Sequence, residues 1–169
     1  MKRGAISLAV IAVVAGAWYV MQPDDATVGL SGGVVPIANG SAEKAGSMLQ
    51  AGDPQIVTLG AQLYSENCAS CHGGNLEGQP DWRLRGPDGR LPAPPHDESG
   101  HTWHHDSDTL FRLTKYGMAE LIDDPDYETD MPIYDGILTD KKILAILSYI
   151  KSTWPPEIRD RHDAMDESG

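Results

Sequence analysis

Cys68 and Cys71 are the only cysteines in a chain of 169 residues, and His72 follows them directly in the run Cys68-Ala69-Ser70-Cys71-His72. Two thiols three residues apart share one face of a helix, and the imidazole next to them can ligate a metal held at that face. Cys-x-x-Cys-His is the pattern of c-type haem attachment. In that chemistry both thiols meet the vinyl groups of one porphyrin edge and form thioethers, while the histidine comes under the iron. Other chemistries fit less well. Structural zinc ordinarily takes four ligands, and there is no second cysteine pair. A thioredoxin-like pair belongs beside a β-α-β pattern, which the sequence lacks, and a disulfide across two residues would be strained.

A second group of residues able to hold metal lies between Leu91 and Asp106, where His96, His101, His104 and His105 surround Trp103, with Asp97, Glu98 and Asp106 close by. One reading is a further copper or zinc site. The reading favoured by the absence of any defined metal-ligand spacing is a loop that wraps the haem edge, with Trp103 and one or two histidines bonded to the propionates.

Three helical patterns must position these groups. The first runs from about Pro54 to Ala69, with Ile56, Leu59 and Leu63 in step, and delivers the cysteines at its end. The second covers about Asp106 to Tyr116, with Asp106 or Ser107 as N-cap, Leu110 and Leu113 on one face and Gly117 as the stop. The third begins after Thr139, carries Ile143, Ile146, Leu147, Ile150 and Trp154 at helical spacing, and ends at Pro155-Pro156. Nothing reads as a sheet, so the fold class is mainly α, a few helices with long loops. Low aromatic content (7%, with Phe111 the single phenylalanine), 18 glycines and 12 prolines leave a thin side-chain core, which a bulky apolar cofactor would complete.

With 25 acidic against 13 basic side chains the formal net charge is −12, which argues against nucleic acid as a partner and for a basic one. Glu120, Asp123, Asp124, Asp126, Glu128, Asp130, Asp135 and Asp140 fall in one stretch that holds no Lys or Arg. Such a run is either a solvated loop or a surface that steers the domain to a basic redox partner.

Lys2 and Arg3 precede an apolar run from Gly4 to Met21, so residues 1–21 read as a signal peptide or an N-terminal membrane anchor. Cleavage after Ala17 would release a soluble protein. The run would span about 27 Å as a helix, and Trp18 and Tyr19 suit a membrane interface, which favours retention. Either way the rest of the chain is placed on the periplasmic side of a bacterial-type cytoplasmic membrane. Residues 22–55 read as a flexible linker with a reach of roughly 30 Å, residues 56–157 as the haem domain, and residues 158–169 as a polar, frayed tail.

From about Thr58 to Trp154 the chain resembles a class I c-type cytochrome, with Gly60 and Tyr64 before the cysteines and Leu147 and Tyr149 in the last helix, where that family packs its N-terminal helix closely against its C-terminal one. The resemblance implies one haem c attached through Cys68 and Cys71, with His72 as an iron ligand. It implies a methionine as sixth ligand on the loop before the last helix, where Met131-Pro132 stands; Met118, just after Gly117, is the competitor. It also implies that a proline carbonyl shortly after the motif accepts the His72 ring proton, which points to Pro80 and, less strongly, to Pro92. A filled sixth position makes the iron an electron relay and no enzyme. The resulting expectation is an electron-transfer protein between respiratory partners. The alternatives are a dedicated cytochrome subunit of an oxidase or dehydrogenase, and a haem or metal-handling or sensing protein that uses the histidine-rich loop.

Overall fold

The computed structural model describes residues 49–168; the expected signal or anchor at residues 1–21 and most of the linker lie outside the described residues. Six helices follow in order: α1 (Pro54–Asn67), α2 (Ala69–His72), α3 (Ser107–Tyr116), α4 (Met118–Leu121), α5 (Asp140–Thr153) and α6 (Pro156–Ser168), with a 3-10 turn at Thr102–His104. Among the described residues there is no strand.

The ends of the helices follow from local chemistry. Asp53 caps α1, its Oδ1 accepting the amides of Gln55 (2.8 Å) and Ile56 (3.3 Å), while Pro54 sits where no amide is needed. Asp106 caps α3 through the Thr109 amide, and Gly117, at φ +86°, ends it in a conformation that a side chain resists. Thr139 stands at the N-cap of α5 as expected, yet its side chain makes no capping bond.

The core forms where α1 crosses α5. Gly60 is buried there, and a Cβ on it would meet the Ala145 backbone and, at 2.8 Å, the Tyr149 Cβ. Removing that carbon is what lets the helices touch, and the rings of Tyr64 and Tyr149 pack beside the crossing at 5.5 Å. Leu63, Leu110, Leu138, Ile143, Ile146, Leu147, Ile150 and Trp154 fill the interior. Each buried aliphatic chain contributes about 1.5–3 kcal/mol.

Two expected boundaries move. The linker does not run to residue 55: Leu49 packs on the core, and the Gln50 amide donates to Ser148 Oγ at 2.9 Å, so the domain is already engaged at Leu49. The frayed tail is in fact α6. Ile158 packs on the core, but the rest of its inner face is polar, with His162 fully buried against Trp154 (5.2 Å between ring centroids). Asp166 accepts from the Ser107 amide and hydroxyl, both at 2.8 Å, and Lys151 of α5 pairs with Asp163 and Asp166. A helix held by hydrogen bonds and charge leaves little trace in a hydrophobic periodicity.

Candidate functional site

His72 is buried at the end of α2, a single turn that Gly73 (φ +84°) terminates. Its Nδ1 lies 2.8 Å from the Pro94 carbonyl oxygen. A carbonyl only accepts, so Nδ1 carries the proton and the Nε2 lone pair is left for a metal. Burial pushes the imidazole below its usual range, against the opposing pull of the Pro94 bond, which keeps the ring neutral.

The acceptor is Pro94, neither Pro80 nor Pro92. The chain leaves His72 through Gly73, and Gly78 turns it at φ +69° with its amide bonded to the His72 carbonyl (2.8 Å). Pro80 is thereby carried into the exposed outer part of the loop. The strand of chain that returns pairs with Gln79 at Ala93 and brings the following proline to the ring (Gln79 amide to Ala93 carbonyl, 2.8 Å; Ala93 amide to Gln79 Oε1, 3.0 Å). Two glycines seat it. A Cβ on Gly78 would lie 2.7 Å from the Pro94 carbonyl carbon, and one on Gly100 would run into the Pro95 carbonyl.

Cys68 is half-buried and Cys71 exposed at the start of α2. Burial, then the neighbouring Cys71, pushes the Cys68 thiol up to about 11. Two phenols brace the motif: Tyr64 donates to the Gly73 carbonyl (2.9 Å) and Tyr134 to the Asn67 carbonyl (2.7 Å). Burial raises the Tyr134 hydroxyl, so it stays a donor at any physiological pH. Tyr134 stands three residues after Met131 and ties the methionine loop to the end of α1.

A cavity of about 400 Å³ is lined by Met118 and Met131, with Gly117, Ile133 and Arg90 among its other walls. Arg90 donates through one terminal nitrogen to Asp130 at 2.6 Å, but its solvent-shielded Nε has no partner. The donor set fits an iron porphyrin: His72 offers its Nε2, Cys68 and Cys71 stand three residues apart, and Met118 and Met131 bring thioethers to a cavity whose walls also include Tyr127, Glu128 and Thr129.

The chain matches the family model described as Cytochrome c over residues 57–154. It belongs to the cytochrome c family. No curated protein and no solved structure gives a match. As a cytochrome c it carries a covalent c-type haem, for which Cys68 and Cys71 have the required spacing, and it is a haem-based electron-transfer protein. Members of this family are typically electron carriers and not enzymes.

The other predicted residues of this cytochrome lie in the histidine-rich loop. Trp103 gives its one donor, Nε1–H, to the Glu98 carbonyl (3.3 Å) within its own loop, and its ring stacks on His104 at 3.7 Å with Arg161 over it. The loop histidines are dispersed over separate aromatic partners. His101 lies flat on Trp82 (5.1 Å, 5°), His105 meets His101 edge-on, and His96 stacks on His72. Burial, followed by the neighbouring imidazoles, lowers His101, and burial with His72 and His101 holds His96 well below the imidazole range.

Among the described residues the one cluster of three potential metal ligands is His162, Asp163 and Asp166, away from this loop. There the Lys151 ammonium already serves both carboxylates, so the cluster is an ion-pair site. Sequence reasoning missed Pro94 and Arg90, and it named His96 only as one of four loop histidines, not as the neighbour of His72. The doubled proline directly before His96 was the available signal, because a rigid dipeptide beside a histidine marks a backbone held for a purpose.

Proposed function

We propose that this cytochrome carries single electrons between respiratory proteins on the outer face of the cytoplasmic membrane, tethered by its N-terminal run, with Met131 as the second iron ligand and no substrate of its own. The observation that carries the reading is that Met131 lines the cavity on a loop braced to the cysteine motif by the Tyr134 hydroxyl. A thioether placed by a fixed loop fills the sixth position and keeps oxygen and peroxide out.

When bound, the haem supplies a one-electron ferric–ferrous couple. The chain does the rest: Pro94 keeps the His72 proton on Nδ1, Tyr134 fixes the ligand loop, and Arg90 offers a donor to a carboxylate in the cavity wall. Asp130 pairs with Arg90, and Asp135 and Asp140 with Lys115, which leaves Glu120, Asp123, Asp124, Asp126 and Glu128 exposed around the methionine loop. Those five carboxylates suit a basic docking face on the partner.

Oxidised and reduced spectra of protein matured with haem in a bacterial periplasm test the reading. A low-spin reduced spectrum, a sulfur-to-iron band near the red edge of the visible range, and no shift with carbon monoxide support it. A high-spin spectrum or an immediate carbon monoxide shift overturns it in favour of a sensor or enzyme.

A further inference from the structure

The ring of His96 lies against the ring of His72, with centroids 4.0 Å apart and planes 22° from parallel. This neighbour is held by more bonds than packing alone would need. The His96 amide donates to the Leu76 carbonyl (2.8 Å), and its carbonyl accepts Nε1–H of Trp154 (2.8 Å). At the ring, Nδ1 is 2.8 Å from Thr102 Oγ1, whose single proton points to the Pro95 carbonyl at 3.3 Å. The threonine oxygen therefore accepts, and His96 Nδ1 donates. Both imidazoles are thus held as the same tautomer, each giving its Nδ1 proton to the Pro94–Thr102 segment. Tyr64, whose hydroxyl braces Gly73, closes the far side edge-on at 6.2 Å.

One hydrogen bond to Pro94 fixes the His72 proton but leaves the ring free to rock about that bond. A flat neighbour that cannot itself rotate removes that freedom and keeps water from the ring face. We propose that His96 is a positioning residue for the haem-ligating imidazole: stacked on His72 and pinned by Thr102, it sets the plane of the ligand ring and, through the dry face it provides, raises the reduction potential of the haem. The inference rests on His72 being the iron's ligand and extends the electron-transfer reading to the group that tunes it. The physical reason for the sign is that water admitted beside the ligand stabilises the more positively charged ferric form.

The test compares holoproteins of the wild type, His96→Ala, His96→Phe and Thr102→Val by spectroelectrochemical midpoint and by the paramagnetically shifted haem-methyl resonances of the ferric state, whose order reports the orientation of the ligand plane. His96→Ala opens space beside His72, so its midpoint falls and its methyl order changes. His96→Phe keeps a flat ring there and restores most of the midpoint. Thr102→Val leaves the stack but removes the pin, so the methyl shifts spread with the midpoint little changed; this variant carries the test by itself where His96→Ala does not mature. An alanine variant with wild-type midpoint and methyl order overturns the proposal. So does a phenylalanine variant that falls as far as alanine, or unchanged methyl shifts in Thr102→Val. A wild type that is high-spin or binds carbon monoxide at once is a different failure, of the carrier reading, since His96 faces His72 whatever fills the sixth position.

Discussion

The two walls of the haem site are built by opposite means. On the His72 side the ring protons and the backbone are held within the protein: Pro94 accepts from His72, Thr102 from His96, His96 from Trp154, and Gly78 and Gly100 close on the proline backbone without room for a methyl group. On the Met131 side the cavity is walled by flexible thioethers and an arginine with an unused donor, and around it Ile133 and Ile137 are more than half exposed amid carboxylates. The difference separates two tasks. A ligand whose geometry sets a potential needs a rigid, dry backing, whereas a face through which a partner is met needs charge, apolar surface and accommodation.

The largest effect that would break this contrast is steric. Gly100→Val should prevent the Pro94–Pro95 backbone from seating, with a loss of several kcal/mol, on the order of 3 or more, and little recoverable holoprotein. A normal yield and melting temperature would show that the His72 wall is softer than described. On the other wall, Met131→Ala should abolish the sulfur-to-iron band and admit carbon monoxide while melting close to the wild type, and Met118→Leu should change neither spectrum. Loss of the band in Met118→Leu alone would exchange the roles of the two methionines.

A smaller effect concerns the exposed carboxylates. The second-order rate of electron transfer to the physiological partner should fall roughly tenfold between low and physiological ionic strength, and an Asp123/Asp124/Asp126 triple asparagine variant should flatten that dependence. A flat response in the wild type would remove electrostatic steering from the Met131 face.

The smallest effect reaches the His72 wall indirectly. His162 of α6 is fully buried against Trp154, whose indole holds the His96 carbonyl, and Asp166 Oδ2 lies 3.4 Å from its Nδ1 without a hydrogen bond. Burial, and then Lys151, lowers its pKa despite the opposing Asp166 and Asp163. A base whose folded pKa is depressed leaves the unfolded state binding more protons, so its contribution to stability is present above about pH 6.5 and is lost as pH falls through the lowered folded value. The melting temperature should drop by a few degrees between pH 7 and pH 5, and His162→Phe should reduce that drop. An identical acid slope in the variant would assign it to other groups.

Much of the frame was legible in order of sequence. The cysteine pair with its histidine, α1, α3 and α5 all rest on near neighbours: an N-cap aspartate, a stopping glycine, apolar residues three or four apart. Gly60 could be matched to Tyr149 because a small residue on one helix and large ones on another imply a close crossing. What escaped was set across longer separations. Pro94 accepts from a ring 22 residues away, and no local rule distinguishes it from Pro80, which is nearer in the chain and carries the same carbonyl. Trp103 gives its one proton to Glu98, five residues back, a contact that no local rule anticipates.

The linear sequence therefore determined the covalent chemistry and the helices, since thioether attachment and helix capping depend on residues within a few positions of one another. Only the tertiary structure decided which proline, which histidine and which arginine serve the site, and that the polar C-terminal segment is a docked helix. Those choices depend on where a long loop returns, and its return is set by glycine contacts, single hydrogen bonds and buried ion pairs that have no periodic signature.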